Sequence, residues 1–148
     1  MSPRPYSVYL GSYKTTERAE RAISEYRNKG ITAYWVEVDL GAKGVWYRVF
    51  TGHFRDPKEA EAFIARKKLA DGEVKKTRYA ALIGAFVTED DLQKESQHLS
   101  RLGFSPYVIN TKGGEALLHV GAFYTKAGAE NQRNKLASKG IESRVVER

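Results

Sequence analysis

Lys43-Gly44-Val45-Trp46-Tyr47-Arg48-Val49-Phe50-Thr51-Gly52 reads as a β-strand, because β-branched and aromatic residues run between glycines without a proline. Alternation divides it into two faces. Val45, Tyr47, Val49 and Thr51 suit a core. Trp46, Arg48 and Phe50 put a guanidinium between two aromatic rings, an arrangement that suits a flat, polar, stackable ligand. The rest of the chain is expected to hold this strand in the middle of a sheet.

The strand runs into Gly52-His53-Phe54, and this ending recurs. Gly11-Ser12-Tyr13, Gly84-Ala85-Phe86 and Gly121-Ala122-Phe123 share it, each with a small or aliphatic residue eight positions after the glycine: Ala19, Ala60, Leu92 and Ala129 in chain order. A second glycine closes each unit (Gly30, Gly72, Gly103, Gly140), separated from the first by 19, 20, 19 and 19 residues. The first glycine is expected to permit a sharp turn or a close backbone approach, and the aromatic to tuck beneath the helix that follows. Helices are predicted to start at Thr15/Thr16, at Asp56-Pro57 and at Thr88, each with acids in the first turn. Ala19, Ala22, Ile23 and Tyr26 share one face of the first helix, and Ala60, Phe63, Ile64 and Lys67 one face of the second. The closing glycine is expected just past the last turn, in left-handed conformation.

A further strand follows the first helix over residues 31–40, turning through Gly41-Ala42-Lys43-Gly44, and another follows the third over residues 104–111. Two units then make one β-α-β-β-α-β module, and the chain holds two. The expected fold is α+β: tandem ferredoxin/RNP-like modules over 1–77 and 78–148, each a four-stranded antiparallel sheet with two helices on one face and its first and third strands central. Only Thr77-Arg78 separates the fourth strand (73–76) from the fifth (79–83), so the modules are expected to be held rigidly rather than strung on a flexible linker.

Apolar residues at 41% and aromatics at 11% are enough for packed cores, and a net charge of +7 favours an anionic partner, with nucleic acid and bacterial envelope polymers both eligible. The absence of cysteine excludes disulfides and thiolate chemistry. Met-Ser-Pro-Arg-Pro lacks the apolar segment of a signal peptide, no apolar run is long enough to span a bilayer, and the first strand begins almost at once at Tyr6, so the chain is expected to be a piece of a longer protein. His53, His98 and His119 are scattered, His98 on the solvent side of a helix. No metal-ligand spacing, Gly-rich phosphate loop or nucleophile motif appears, and neither catalysis nor a metal or cofactor is expected.

The helix-free face of module one is the better candidate. Ser7 and Tyr9 of the first strand point to it, with Val8 and Leu10 toward the helices, and the third strand adds Trp46, Arg48 and Phe50. In the second strand Tyr34, Val36 and Val38 read as core, which places Trp35 outward beside Glu37. Such a face suits sugar rings or nucleobases, or the seat of another protein layer. Counting from the shared glycines, Trp46, Arg48 and Phe50 correspond to Glu115, Leu117 and His119 in module two, and Tyr9 and Ser12 to Leu82 and Ala85. Ala80, Leu82 and Leu117 there form an apolar patch suited to a protein partner.

The strand-Gly-Ser-aromatic start from Val8 to Tyr13, Ala19, the Lys29-Gly30-Ile31 helix end, the Trp-x-Arg-Val-x-x-Gly-x-Phe run from Trp46 to Phe54 and Ala60 together resemble the SPOR (sporulation-related repeat) domain of bacteria. Module two resembles it in frame and is degenerate on the sheet face. The resemblance implies a non-catalytic module that binds peptidoglycan, favouring glycan strands stripped of stem peptides, and that gathers at division septa. It implies a periplasmic or cell-envelope location, a parent anchored in the inner membrane, no membrane contact by this fragment and no nucleic-acid partner. By position, the glycan-contacting places fall on Tyr9, Ser12, Trp46 and Arg48. Tyr9 stands where the family often has Gln. Phe50 and Trp35 join them as aromatics of the same expected face.

RNA binding is the competing class, since an RNA-recognition module has the same strand order and Lys43 to Phe50 echoes the Lys-Gly-aromatic pattern of its third strand. Val45 and Trp46 break that pattern, and the repeated Gly-x-aromatic is foreign to it.

Overall fold

Thr15, Asp56, Thr88 and Thr125 each accept a backbone N–H three residues on, so the four α-helices among the described residues start on a side-chain cap, the second with Pro57 in its first turn. In a computed structural model describing residues 3–148, the elements fall into two units. Met1 and Ser2, the start of the expected module 1–77, lie outside the described residues. In Arg4–Lys76 the order is β1 (Tyr6–Tyr13), α1 (Thr16–Asn28), β2 (Ala33–Asp39), β3 (Val45–Phe54), α2 (Pro57–Lys67) and β4 (Glu73–Lys76). In Thr77–Arg148 it is β5 (Tyr79–Phe86), α3 (Glu89–Arg101), β6 (Pro106–Asn110), β7 (Ala116–Phe123), α4 (Lys126–Ser138) and β8 (Arg144–Glu147). The sheets run β2-β3-β1-β4 and β6-β7-β5-β8, all antiparallel. Each is thus an α+β, β-α-β-β-α-β unit with its first and third strands central.

Each core lies between sheet and helices. In the first unit Ala19 and Ile23 of α1 meet Trp35, Val49 and Tyr47, while Ala60, Phe63 and Ile64 of α2 meet Val8, Phe54 and Val74. In the second, Leu92, Leu99 and Leu136 pack on Ala81, Leu118 and Val120. Lys67 does not share the α2 core face and is exposed.

At two of its four occurrences the Gly-x-aromatic has a more specific cause than a sharp turn, while at Gly11 and Gly84 an added Cβ would meet the ring only at an ordinary 3.5 Å. A Cβ at Gly52 or Gly121 would overlap the ring of Phe54 or Phe123, and both glycines have positive φ, +76 and +84. The aromatic two residues on folds back across its own glycine, as the ring turns toward the helix-side core. Gly30, Gly103 and Gly140 close their helices with φ of +80, +92 and +80. Gly72 does not. Lys68 takes the left-handed position after α2 (φ 56), and Gly72 serves close packing instead, since a Cβ there would stand 3.0 Å from Val8 Cγ1 and 3.1 Å from the Leu69 carbonyl oxygen.

The outward placement of Trp35 is overturned. Trp35 lies in the helix-side core, 7% exposed, edge-on to Tyr47 at 5.2 Å between ring centroids. Its indole Nε1 donates to Glu20 Oε1 of α1 at 2.7 Å. The reason is register. Trp35 pairs with Val49, whose face is the helix side, whereas Tyr34, Val36 and Val38 pair with Phe50, Arg48 and Trp46. Tyr34 and Val36 are buried, as expected of core residues, but on the helix-free face.

Candidate functional site

Straight alternation along β1 would send Ser7, Tyr9, Gly11 and Tyr13 to one face. A β-bulge interrupts it: Tyr9 pairs with Phe50 and Gly11 with Val49, so two steps on β1 match one on β3. After the bulge Ser12 pairs with Arg48, and Tyr13 with Tyr47 on the helix side. The bulge is what brings Ser12 onto the same face as Tyr9.

The face is therefore built in rows across β1, β3 and β2. Tyr9, Phe50 and Tyr34 form the first, Ser12, Arg48 and Val36 the second, and Trp46 and Val38 the third. Trp46 and Phe50 are four residues apart on one strand, about 13 Å. Five of the six expected residues (Tyr9, Ser12, Trp46, Arg48, Phe50) share this face; Trp35 is on the other. Phe50 is 4% exposed, with its ring between Tyr9 (5.8 Å) and Tyr34 (6.2 Å). It forms the floor under Tyr9 rather than a surface for a ligand. Tyr34 is fixed by its hydroxyl, which meets the Ser7 hydroxyl at 3.1 Å and donates to the Gly52 carbonyl at 3.2 Å.

Tyr9, Ser12, Arg48 and Trp46 are each partly exposed. The Tyr9 and Ser12 hydroxyls hydrogen-bond to one another, which orients the phenol. Trp46 Nε1 donates to the Lys43 carbonyl at 3.0 Å, which ties the indole to the hairpin. Arg48 has no carboxylate within ion-pair distance among the described residues, so its donors remain available to a ligand. Sequence reasoning missed Lys14, whose Nζ stands 4.8 Å from the centre of the Trp46 ring. The signal was available: Lys14 lies two positions past Ser12, on the same side of a strand if alternation continues. The face thus offers two ring surfaces, two hydroxyls and two cations, equipment for holding a polar, ring-bearing, anionic chain.

The second unit repeats the geometry with other chemistry. Its bulge falls between Leu82 and Gly84, so Leu82 pairs with His119 and Ala85 with Leu117, register for register with Tyr9–Phe50 and Ser12–Arg48. Tyr107 donates to the Gly121 carbonyl at 2.7 Å, as Tyr34 does to Gly52. His119 is buried and stacked on Tyr107 at 5.4 Å. Of the expected apolar patch, Ala80 is buried while Leu82 and Leu117 are partly exposed.

A family model described as SPOR domain matches residues 2–76, just over half of the chain and every element of the first unit. Comparison with curated proteins and with solved structures finds no significant match.

Proposed function

The chain belongs to the SPOR domain family, a family of non-catalytic, peptidoglycan-binding modules associated with the cell envelope and the division site, and on that premise we propose that its first unit binds glycan strands stripped of stem peptides and so directs a parent protein to the septum. The observation that carries this reading is the set Tyr9, Ser12, Trp46 and Arg48, gathered on one face by the β1–β3 register, partly exposed, with the guanidinium lacking a carboxylate partner among the described residues.

In this reading the strand crosses β1 and β3. Trp46 and Tyr9 support sugar faces through their rings. Ser12 and Arg48 hydrogen-bond N-acetyl and lactyl groups, Arg48 through its fixed fork. Contacts this shallow bind weakly per sugar and add along a polymer. Module one is 1–77 and module two, 78–148, a degenerate copy whose face has exchanged these groups for Leu82, Ala85, Glu115 and Leu117 and does not bind glycan. The location is periplasmic. No helix among the described residues is long and apolar enough to cross a membrane, so membrane anchorage, in this reading, belongs to other parts of the parent.

The test is sedimentation of the whole chain with sacculi treated to remove stem peptides. Trp46→Ala and Arg48→Ala are each expected to weaken binding about tenfold, the loss of one stacking or one charge-assisted contact. Wild-type binding by both variants would reject this face. A salt-sensitive gel shift with single-stranded RNA, at affinity exceeding that for glycan, would favour the nucleic-acid reading instead.

A further inference from the structure

Within the second unit, β5 is eight residues long but β8 pairs only with Tyr79 to Leu82. Among the described residues no strand pairs with β5 on that side beyond Leu82, although β7 continues along the other side as far as Phe86. The stretch from Ile83 to Phe86 is therefore a sheet edge with half its ladder unused. A groove of roughly 570 Å³ lies along it, lined by residues 82–85, Glu115, Leu117 and residues 142–144. Its floor is apolar because Leu82, Ala85 and Leu117 stand where the first unit has Tyr9, Ser12 and Arg48. Its charged members are Glu115, Glu142 and Arg144, an acidic balance within a chain of net charge +7. The Ser143 hydroxyl, on the wall, is buried and without a hydrogen-bond partner among the described residues.

We propose that this groove binds an extended polypeptide segment of a protein partner, four or so residues long, carrying a basic side chain and pairing as an added strand with the open edge of β5. Strand addition uses main-chain hydrogen bonds for affinity and side-chain pockets for selection. The open edge supplies the first. The apolar floor accepts small aliphatic side chains on one face of the incoming strand. Glu115 and Glu142 select a Lys or Arg and repel an anionic polymer. Rotation of Ser143 gives its hydroxyl a peptide carbonyl to donate to. The assignment is independent of the glycan reading of the first unit.

The experiment is amide chemical-shift mapping on the whole ¹⁵N-labelled chain with three probes: acetyl-Val-Thr-Lys-Thr-Val-amide, whose Val and Lys side chains share one face of an extended strand, the same peptide with Glu replacing Lys, and a denuded glycan oligosaccharide. The basic peptide is expected to shift the amides of residues 83–86 and 142–144 saturably. N-methylation of alternate peptide bonds is expected to weaken it about tenfold. Glu115→Lys with Glu142→Lys, both on exposed residues, is expected to reverse the preference toward the acidic peptide. Absence of saturable shifts in these amides, an unchanged preference in the double variant, or shifts of the same amides by the glycan would each overturn the proposal. Glycan shifts confined to the first unit leave it standing.

Discussion

Gly52 and Gly30 lie in the same unit with nearly the same backbone angle, φ +76 and +80, yet alanine at the two positions is expected to have different consequences. At Gly30 nothing stands within 4 Å of an added Cβ. The substitution there meets only the cost of holding a side chain at positive φ, about 1–2 kcal/mol. At Gly52 the same cost applies, and the new Cβ also overlaps the Phe54 ring, which packs with Val8, Ala60 and Phe63. Moving that ring sacrifices part of its burial. Complete truncation of a core phenylalanine costs about 3–5 kcal/mol, and roughly half of that is a fair share for displacement. Gly52→Ala should therefore destabilise by about 3–4 kcal/mol and Gly30→Ala by about 1–2. Both tryptophans, Trp35 and Trp46, belong to this unit, so their fluorescence follows its unfolding within the intact chain. At a urea slope of about 1–1.5 kcal/mol per M, the midpoint should fall by about 1 M for Gly30→Ala and 2–3 M for Gly52→Ala. Equal shifts for the two would refute the idea that position 52 is a glycine so that the Phe54 ring can cross it.

Trp35→Phe should cost about 1–3 kcal/mol through the lost bond to Glu20 and lost packing, with glycan binding unchanged in the sedimentation assay, because Trp35 lies on the opposite face from Tyr9 and Trp46. Asp56→Ala, which removes the acceptor for the Glu59 N–H at 2.9 Å, should lower the stability of the first unit by about 1 kcal/mol in the same urea titration. Tyr26 has its pKa raised above 10.0, first by burial and then by the negative charge of Tyr13, Asp71 and Glu25. A raised acid pKa gives stability that is complete below the unfolded value and is lost as pH rises through the folded one. Stability should thus fall above about pH 10, and Tyr26→Phe should make that decline shallower.

Much of this protein is local, and local features are legible in a sequence. The Thr and Asp caps, Pro57, the closing glycines at 30, 103 and 140 and the period-2 strands each act within a few residues, so the order of elements and the internal repeat could be read before any contact was known. Trp46 and Arg48 could be placed because β3 has one β-branched face and one mixed face. Where local chemistry was symmetric the reading failed. Tyr34 and Trp35 are adjacent large aromatics, and period-2 alternation says that they diverge but not which way. Pairing of Trp35 with Val49, and a carboxylate waiting on α1, decided it. Ser12 joins Tyr9 only through a bulge that exists in the β1–β3 ladder and not in either strand alone. Lys68 rather than Gly72 takes the left-handed position after α2, and Gly72 instead lets Val8, from a distant strand, come within 3.0 Å of where a Cβ would stand. The sequence by itself determined which segments are strands and helices and in what order they follow one another. Only tertiary pairing determined which side chains meet on one face, because strand register is a property of two segments at once.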